Sequence, residues 1–196
     1  MLLLHGWGVT KEMLRPLGKR LARSGWHVVG LDLPGFGKTP TPPAAWDSSE
    51  YVTFVRAFAK EVFDSAPFIV FGHSFGGRIA IKLAATRRKS IRGVVLCAPA
   101  GIYRPLNVRN LIRRVIRRTR WENVKPLLSK ITIPSLILWG KQDKVTPVKG
   151  AYSAKNLLPR ALLKTFPSIG HSLPYRRPAA IAREITSWSK TFHDHT

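Results

Sequence analysis

Residues 71–77 read FGHSFGG, a glycine–x–serine–x–glycine string made by Gly72, Ser74 and Gly76. It stands directly after an apolar run and directly before a helical pattern. A serine in that context sits on a sharp strand-to-helix turn, which lifts its hydroxyl above the strand ends beside a helix N-terminus. The flanking glycines let strand and helix approach closely. The string alone is weak, because small residues gather in many turns; its neighbours give it meaning. A serine hydroxyl needs a base, and the base needs an orienting carboxylate. Three histidines follow Ser74: His171, His193 and His195. The last two lie in the terminal FHDHT, where fraying is expected. His171, in PSIGHS, follows the run ALLKTF and falls in a loop at that strand's end. Two acids stand between Ser74 and His171, namely Glu122 and Asp143. Asp143 lies in LILWGKQDKVTP, just past another strand end, whereas Glu122 adjoins an arginine-rich stretch and is expected to pair there. The spacing therefore points to Ser74, Asp143 and His171 as nucleophile, acid and base.

Acyl chemistry on a serine also needs donors for a developing oxyanion. HGWG at 5–8 follows the first apolar run, so the backbone N–H of Trp7 can join that of Phe75. His5 is expected to hold this loop by hydrogen bonds, and His73 to pack beside the nucleophile. GFGKT at 35–39 invites a phosphate-loop reading, but that motif would need glycine where Asp32 stands. Asp32 is read instead as a carboxylate bracing the loop. The single cysteine and scattered histidines match no zinc spacing, and neither metal nor cofactor is expected.

These residues need a scaffold that brings strand ends together. Apolar runs suited to buried parallel strands occur at 2–6, 27–32, 68–72, 93–98, 135–140 and 161–166. Helical patterns lie between them, at roughly 11–23, 48–64, 75–88, 108–119, 148–157 and 178–191. Such alternation predicts a doubly wound parallel sheet with helices on both faces. No repeat is found, and TPTPPAAW at 39–46 is a Pro-rich loop. No linker divides the chain, so residues 1–196 are read as one domain with an insertion near 101–130.

The 196 residues, 44% of them hydrophobic, are enough for a packed core without staples. Cys97, the one cysteine, falls in an apolar run and is expected in the core. No apolar run reaches the ~20 residues of a membrane span, and the opening MLLLHGWG lacks signal-peptide character. The expectation is a soluble, cytoplasmic protein. Thirty-three Lys and Arg against ten Asp and Glu give a net charge of +23, which favours anionic partners. No helix-turn-helix, zinc finger or aromatic-rich RNA motif accompanies that charge, so an anion-binding protein, for nucleic acid or membrane, is the lesser reading.

With HGWG, DLPGFGKT, GHSFGG, LILWGKQDKVTP and GHS in this order, the chain resembles the α/β-hydrolase fold family over nearly its whole length. Within it, the chain is most similar to small serine carboxylesterases of the pimeloyl-acyl-carrier-protein methyl ester esterase and meta-cleavage-product hydrolase type. The resemblance implies a carboxylesterase working through an acyl-enzyme, with nucleophile Ser74, acid Asp143, base His171 and oxyanion donors Trp7 and Phe75. Thioester and C–C cleavage remain open on the same triad. Family members usually carry two more strands before HGWG. A six-stranded sheet is therefore expected, with the 27–32 strand at its edge. Family caps often form a separate helical domain, whereas here only about thirty residues (101–130) are available.

That insertion contains NVRNLIRRVIRRTR, residues 107–120, with six arginines and no acid. Val108, Leu111, Ile112, Val115 and Ile116 form one helical stripe. The segment is thus expected to be a cap helix whose apolar face closes over Ser74, with Leu111 and Ile112 touching the acyl chain. Its arginine face is either solvated or a dock for an acidic carrier protein or anionic surface.

Overall fold

A computed structural model describes residues 1–64, 66–86, 89–102 and 122–192. Six strands form one parallel sheet: β1 (Leu2–Leu4), β2 (Val29–Leu31), β3 (Phe68–His73), β4 (Ile91–Cys97), β5 (Ser135–Gly140) and β6 (Ala161–Phe166). Their order is β2-β1-β3-β4-β5-β6. Leu2 of β1 stands opposite Val29 on one side and Val70 on the other. The chain runs outward from β1 to β2, then returns past β1 to build the rest in the opposite direction. The switch falls between β1 and β3, and open parallel sheets place their crevice at the carboxyl ends of the strands there. As expected, β2 is an edge strand.

The strands are apolar almost throughout because both sheet faces are covered. Leu2, Leu4, Val70, Leu96, Ile137 and Trp139 point into one core, while Leu3, Phe71, Val95, Cys97, Leu136 and Leu138 point into the other. Helices α2 (Ser48–Phe63), α3 (Phe75–Ala84) and α4 (Lys149–Leu157) cover the first face. Helices α1 (Arg15–Arg23) and α6 (Pro178–Lys190) cover the second, through Leu17 and Leu21 and through Ile181, Ile185 and Trp188. Between β6 and α6 lies a four-residue helix, α5 (Leu173–Arg176). Helix α2 starts with a reciprocal cap: Asp47 accepts the Ser49 and Glu50 amides, and Glu50 accepts the Asp47 amide. Such a cap is worth about 1 kcal/mol.

The helix expected over 11–23 is divided. Lys11–Leu14 is a 3-10 turn, and the α-helix begins only at Arg15. Pro16 explains the break, since it has no N–H and its ring is tolerated only in the first turn of an α-helix. The pattern at 108–119 lies outside the described residues, as do Leu111, Ile112 and the arginine face. The flanks of the insertion are described: the Val124 amide donates to the Gly101 carbonyl at 3.0 Å, and a 3-10 helix follows at Lys125–Lys130.

Candidate active site

Ser74 occupies the single-residue turn between β3 and α3, at φ 51° and ψ −111°. This left-handed φ is unfavourable for a residue with a Cβ. The surroundings hold it: the Ser74 amide donates to the Cys97 carbonyl, and the Ser74 carbonyl accepts the Arg78 and Ala100 amides. Glycine is required on both sides. A Cβ at Gly72 would lie 2.4 Å from the Gly76 carbonyl oxygen, and one at Gly76 would lie 2.5 Å from that of Leu4. Helix α3 is thus pressed directly onto β1 and β3.

Asp143 and His171 come from loops after β5 and β6, and the structure brings them together. His171 Nδ1 donates to Asp143 Oδ2 at 2.8 Å. The other carboxylate oxygen, Oδ1, accepts the Val145 and Thr146 amides, each at 2.8 Å. The Thr146 hydroxyl lies 2.9 Å from Oδ2, 3.3 Å from the Ala98 carbonyl and 3.2 Å from His171 Nδ1. Burial alone pushes the Asp143 carboxyl up; the bond and charge of His171 and the two amides outweigh it and hold the group below its ordinary value. The carboxylate is therefore fixed as an anion, and it fixes the Nδ1–H tautomer of His171, leaving Nε2 free as a base. No hydrogen bond joins Ser74 to His171 among the described residues. Such bonds commonly tighten only once substrate is bound.

His73 connects the parts. Its Nε2 lies 2.8 Å from the His171 carbonyl and its Nδ1 2.8 Å from the Tyr175 hydroxyl. A carbonyl can only accept, so Nε2 carries the proton and Nδ1 accepts from Tyr175. Burial, aided by the charge of His171, pushes the His73 pKa down to about 3, so the ring stays neutral. Burial pushes the Tyr175 hydroxyl up, against the pull of the Gly6 amide beside it.

On the β1 side, the fully buried His5 accepts the Leu33 amide at Nε2 (3.0 Å) and donates from Nδ1 to the Gly6 carbonyl (2.7 Å). This ring ties the HGWG loop to the end of β2. The Trp7 ring packs edge-on against Phe36 and Phe75. The Trp7 and Phe75 amides have no partner among the described residues. Asp32 accepts the Lys11 and Lys38 amides and lies 3.6 Å from Lys11 Nζ, bracing the loop after β2. Cys97 is buried in the core.

The arginine-rich stretch with which Glu122 is expected to pair lies outside the described residues. Among the described residues, Glu122 accepts the Ser48 amide and hydroxyl and lies 3.5 Å from Lys82 Nζ and 3.9 Å from Arg78 Nη1. The N-terminus of α2 and two cations on α3 make that pocket attractive to a carboxylate. Sequence reasoning missed Thr146 and Tyr175. For Thr146 a signal exists, because an Asp followed three residues on by Thr often folds into a side-chain-capped turn. For Tyr175 there is none, since its partner His73 is 102 residues away.

A serine at a strand–helix elbow, a carboxylate–imidazole pair past the ends of β5 and β6, and the Trp7 and Phe75 amides across the switch point make a hydrolase-like arrangement. The chain belongs to the alpha/beta hydrolase fold family, whose sequence model matches residues 1–116. Among curated relatives, protein ABHD14A of Danio rerio is 28% identical, over 81% of this chain and 51% of that protein. The chain thus spans about half the length of that relative. Monoacylglycerol lipase abhd6-B of Xenopus laevis is 23% identical, over 96% of this chain and 74% of the lipase. Among solved structures, the esterase EaEST of Exiguobacterium antarcticum superposes with a TM-score of 0.85 at 18% identity, over 96% of this chain and 91% of that one. That likeness shows the fold. No helix among the described residues is long and apolar enough to cross a membrane.

Proposed function

We propose that the protein is a carboxylic ester hydrolase that cleaves small to medium acyl esters through an acyl-enzyme on Ser74. The observation that carries this reading is the 2.8 Å His171–Asp143 bond at the strand ends beside the Ser74 elbow. His171 Nε2 takes the Ser74 proton as the hydroxyl attacks the ester carbonyl. Asp143 stabilises the imidazolium that forms. The oxyanion rests on the Trp7 and Phe75 amides, where losing one donor typically costs about 3–4 kcal/mol of barrier. The proton passes from His171 to the departing alcohol, and water clears the acyl-enzyme by the same route.

The lipase and esterase names among the relatives support the reaction class. The test is hydrolysis of p-nitrophenyl butyrate and a matched thioester by the wild type and Ser74→Ala. The variant should keep the wild-type circular dichroism and lose roughly a thousandfold or more in kcat. A folded Ser74→Ala protein that still turns over the ester at the wild-type rate refutes the assignment.

A further inference from the structure

The far end of the molecule holds a cavity of about 470 Å³ between α2, α3 and the starts of β3 and β4. Its apolar lining includes the buried side chains Phe63, Phe68, Leu83 and Ile91, with Phe63 and Phe68 stacked at 4.7 Å. Two cations, Arg56 and Lys60, also line it. They sit four residues apart, on one side of α2. No acidic side chain lines the cavity among the described residues. Arg56 Nε is buried and has no hydrogen-bond partner among the described residues.

A buried donor without an acceptor is costly, and native structures supply a partner for nearly all such groups. A guanidinium edge matches a planar carboxylate with two parallel hydrogen bonds. The volume and the mix of apolar wall with a few charged groups are those of a small-molecule site. We infer that this cavity binds a single-chain amphiphile with a carboxylate head, its chain on Phe63, Phe68, Leu83 and Ile91 and its head on Arg56 and Lys60. The site is not catalytic. Phe68 begins β3 and Ser74 follows its end, so the two lie roughly 20 Å apart at about 3.3 Å per residue. The inference stands independently of the reaction proposed for Ser74.

The test is photolabelling with a decanoate analogue carrying a mid-chain diazirine, read by peptide mass spectrometry on the wild type, Ser74→Ala, Arg56→Gln and Thr53→Trp. Thr53 is an exposed residue at the cavity wall, where tryptophan would obstruct entry without disturbing the core. Peptides carrying Phe63 and Phe68, or Leu83 and Ile91, should be labelled equally in the wild type and Ser74→Ala. Excess decanoate should suppress that label, and decanol should not. Arg56→Gln should weaken half-saturation roughly tenfold or more, as expected on losing a charge-assisted pair. Thr53→Trp should abolish the label while its melting curve stays that of the wild type. Label confined to peptides around Ser74 and His171, equal competition by decanol, or full labelling of both cavity variants overturns the inference.

Discussion

Tyr175→Phe isolates one hydroxyl. The ring packs edge-on against His73 at 5.0 Å and is retained in the variant, so no cavity opens. What is lost is the donor to His73 Nδ1 at 2.8 Å and the oxygen that the Gly6 amide faces. The imidazole cannot adapt by changing tautomer. Moving its proton to Nδ1 would turn the lone pair of Nε2 toward the His171 carbonyl oxygen, 2.8 Å away. Nor can protonation rescue it, since burial holds its pKa at about 3. At least one buried group must therefore go unpaired, at a cost of about 1–3 kcal/mol. For a chain of this length that corresponds to a fall of roughly 2–12 °C in melting temperature. Urea unfolding of wild type and variant, with an unchanged slope, measures it directly. A stability difference below about 0.5 kcal/mol, the range of an ordinary surface change, would refute the reasoning.

Two further predictions concern the same cluster. His73 has its ordinary pKa of 6.5 when unfolded and about 3 when folded, so the unfolded chain binds the proton first as pH falls. Its contribution to stability is complete above pH 6.5 and drains away toward pH 3, with a slope of up to about 1.4 kcal/mol per unit; Asp143, held low when folded, acts in the same sense below its unfolded value. Urea titrations at pH 7, 6, 5 and 4 should show wild type losing stability more steeply than His73→Asn, and parallel curves would contradict this. Thr146→Val keeps the shape but removes the hydroxyl from Asp143 Oδ2. It should lower kcat about tenfold, some 1.4 kcal/mol of barrier, with KM nearly unchanged; an effect confined to KM would remove Thr146 from the charge-stabilising set.

The sheet was legible where its chemistry is local. The spans expected for β5 and β6 coincide with the observed strands, because continuous apolar runs there are punctuated on both sides. The first strand ends at Leu4 rather than Gly6, since the His5 ring and the Gly6 carbonyl bond to each other and turn the chain into the loop. For the candidates Ser74, Asp143 and His171, chain order and strand ends narrow the choices in the sequence, and the structure brings Asp143 and His171 into contact. Helix α5 and the 3-10 turn at Lys125–Lys130 are too short for any periodicity to emerge. The Tyr175–His73 bond depends on two loops meeting over the sheet, and no window along the chain contains both.

The bond from the Val124 amide to the Gly101 carbonyl has a consequence for how this scaffold diversifies. It brings the two ends of the insertion to one point, under which Glu122 is pinned by Ser48, Arg78 and Lys82. The segment leaves the scaffold and re-enters it through a closed neck. Lengthening a loop whose ends already meet costs little, about 0.6 kcal/mol for each doubling. Segments of different length can therefore be exchanged at that neck, like a fitting changed on a standard socket, while the sheet and the Asp143–His171 bond stay undisturbed.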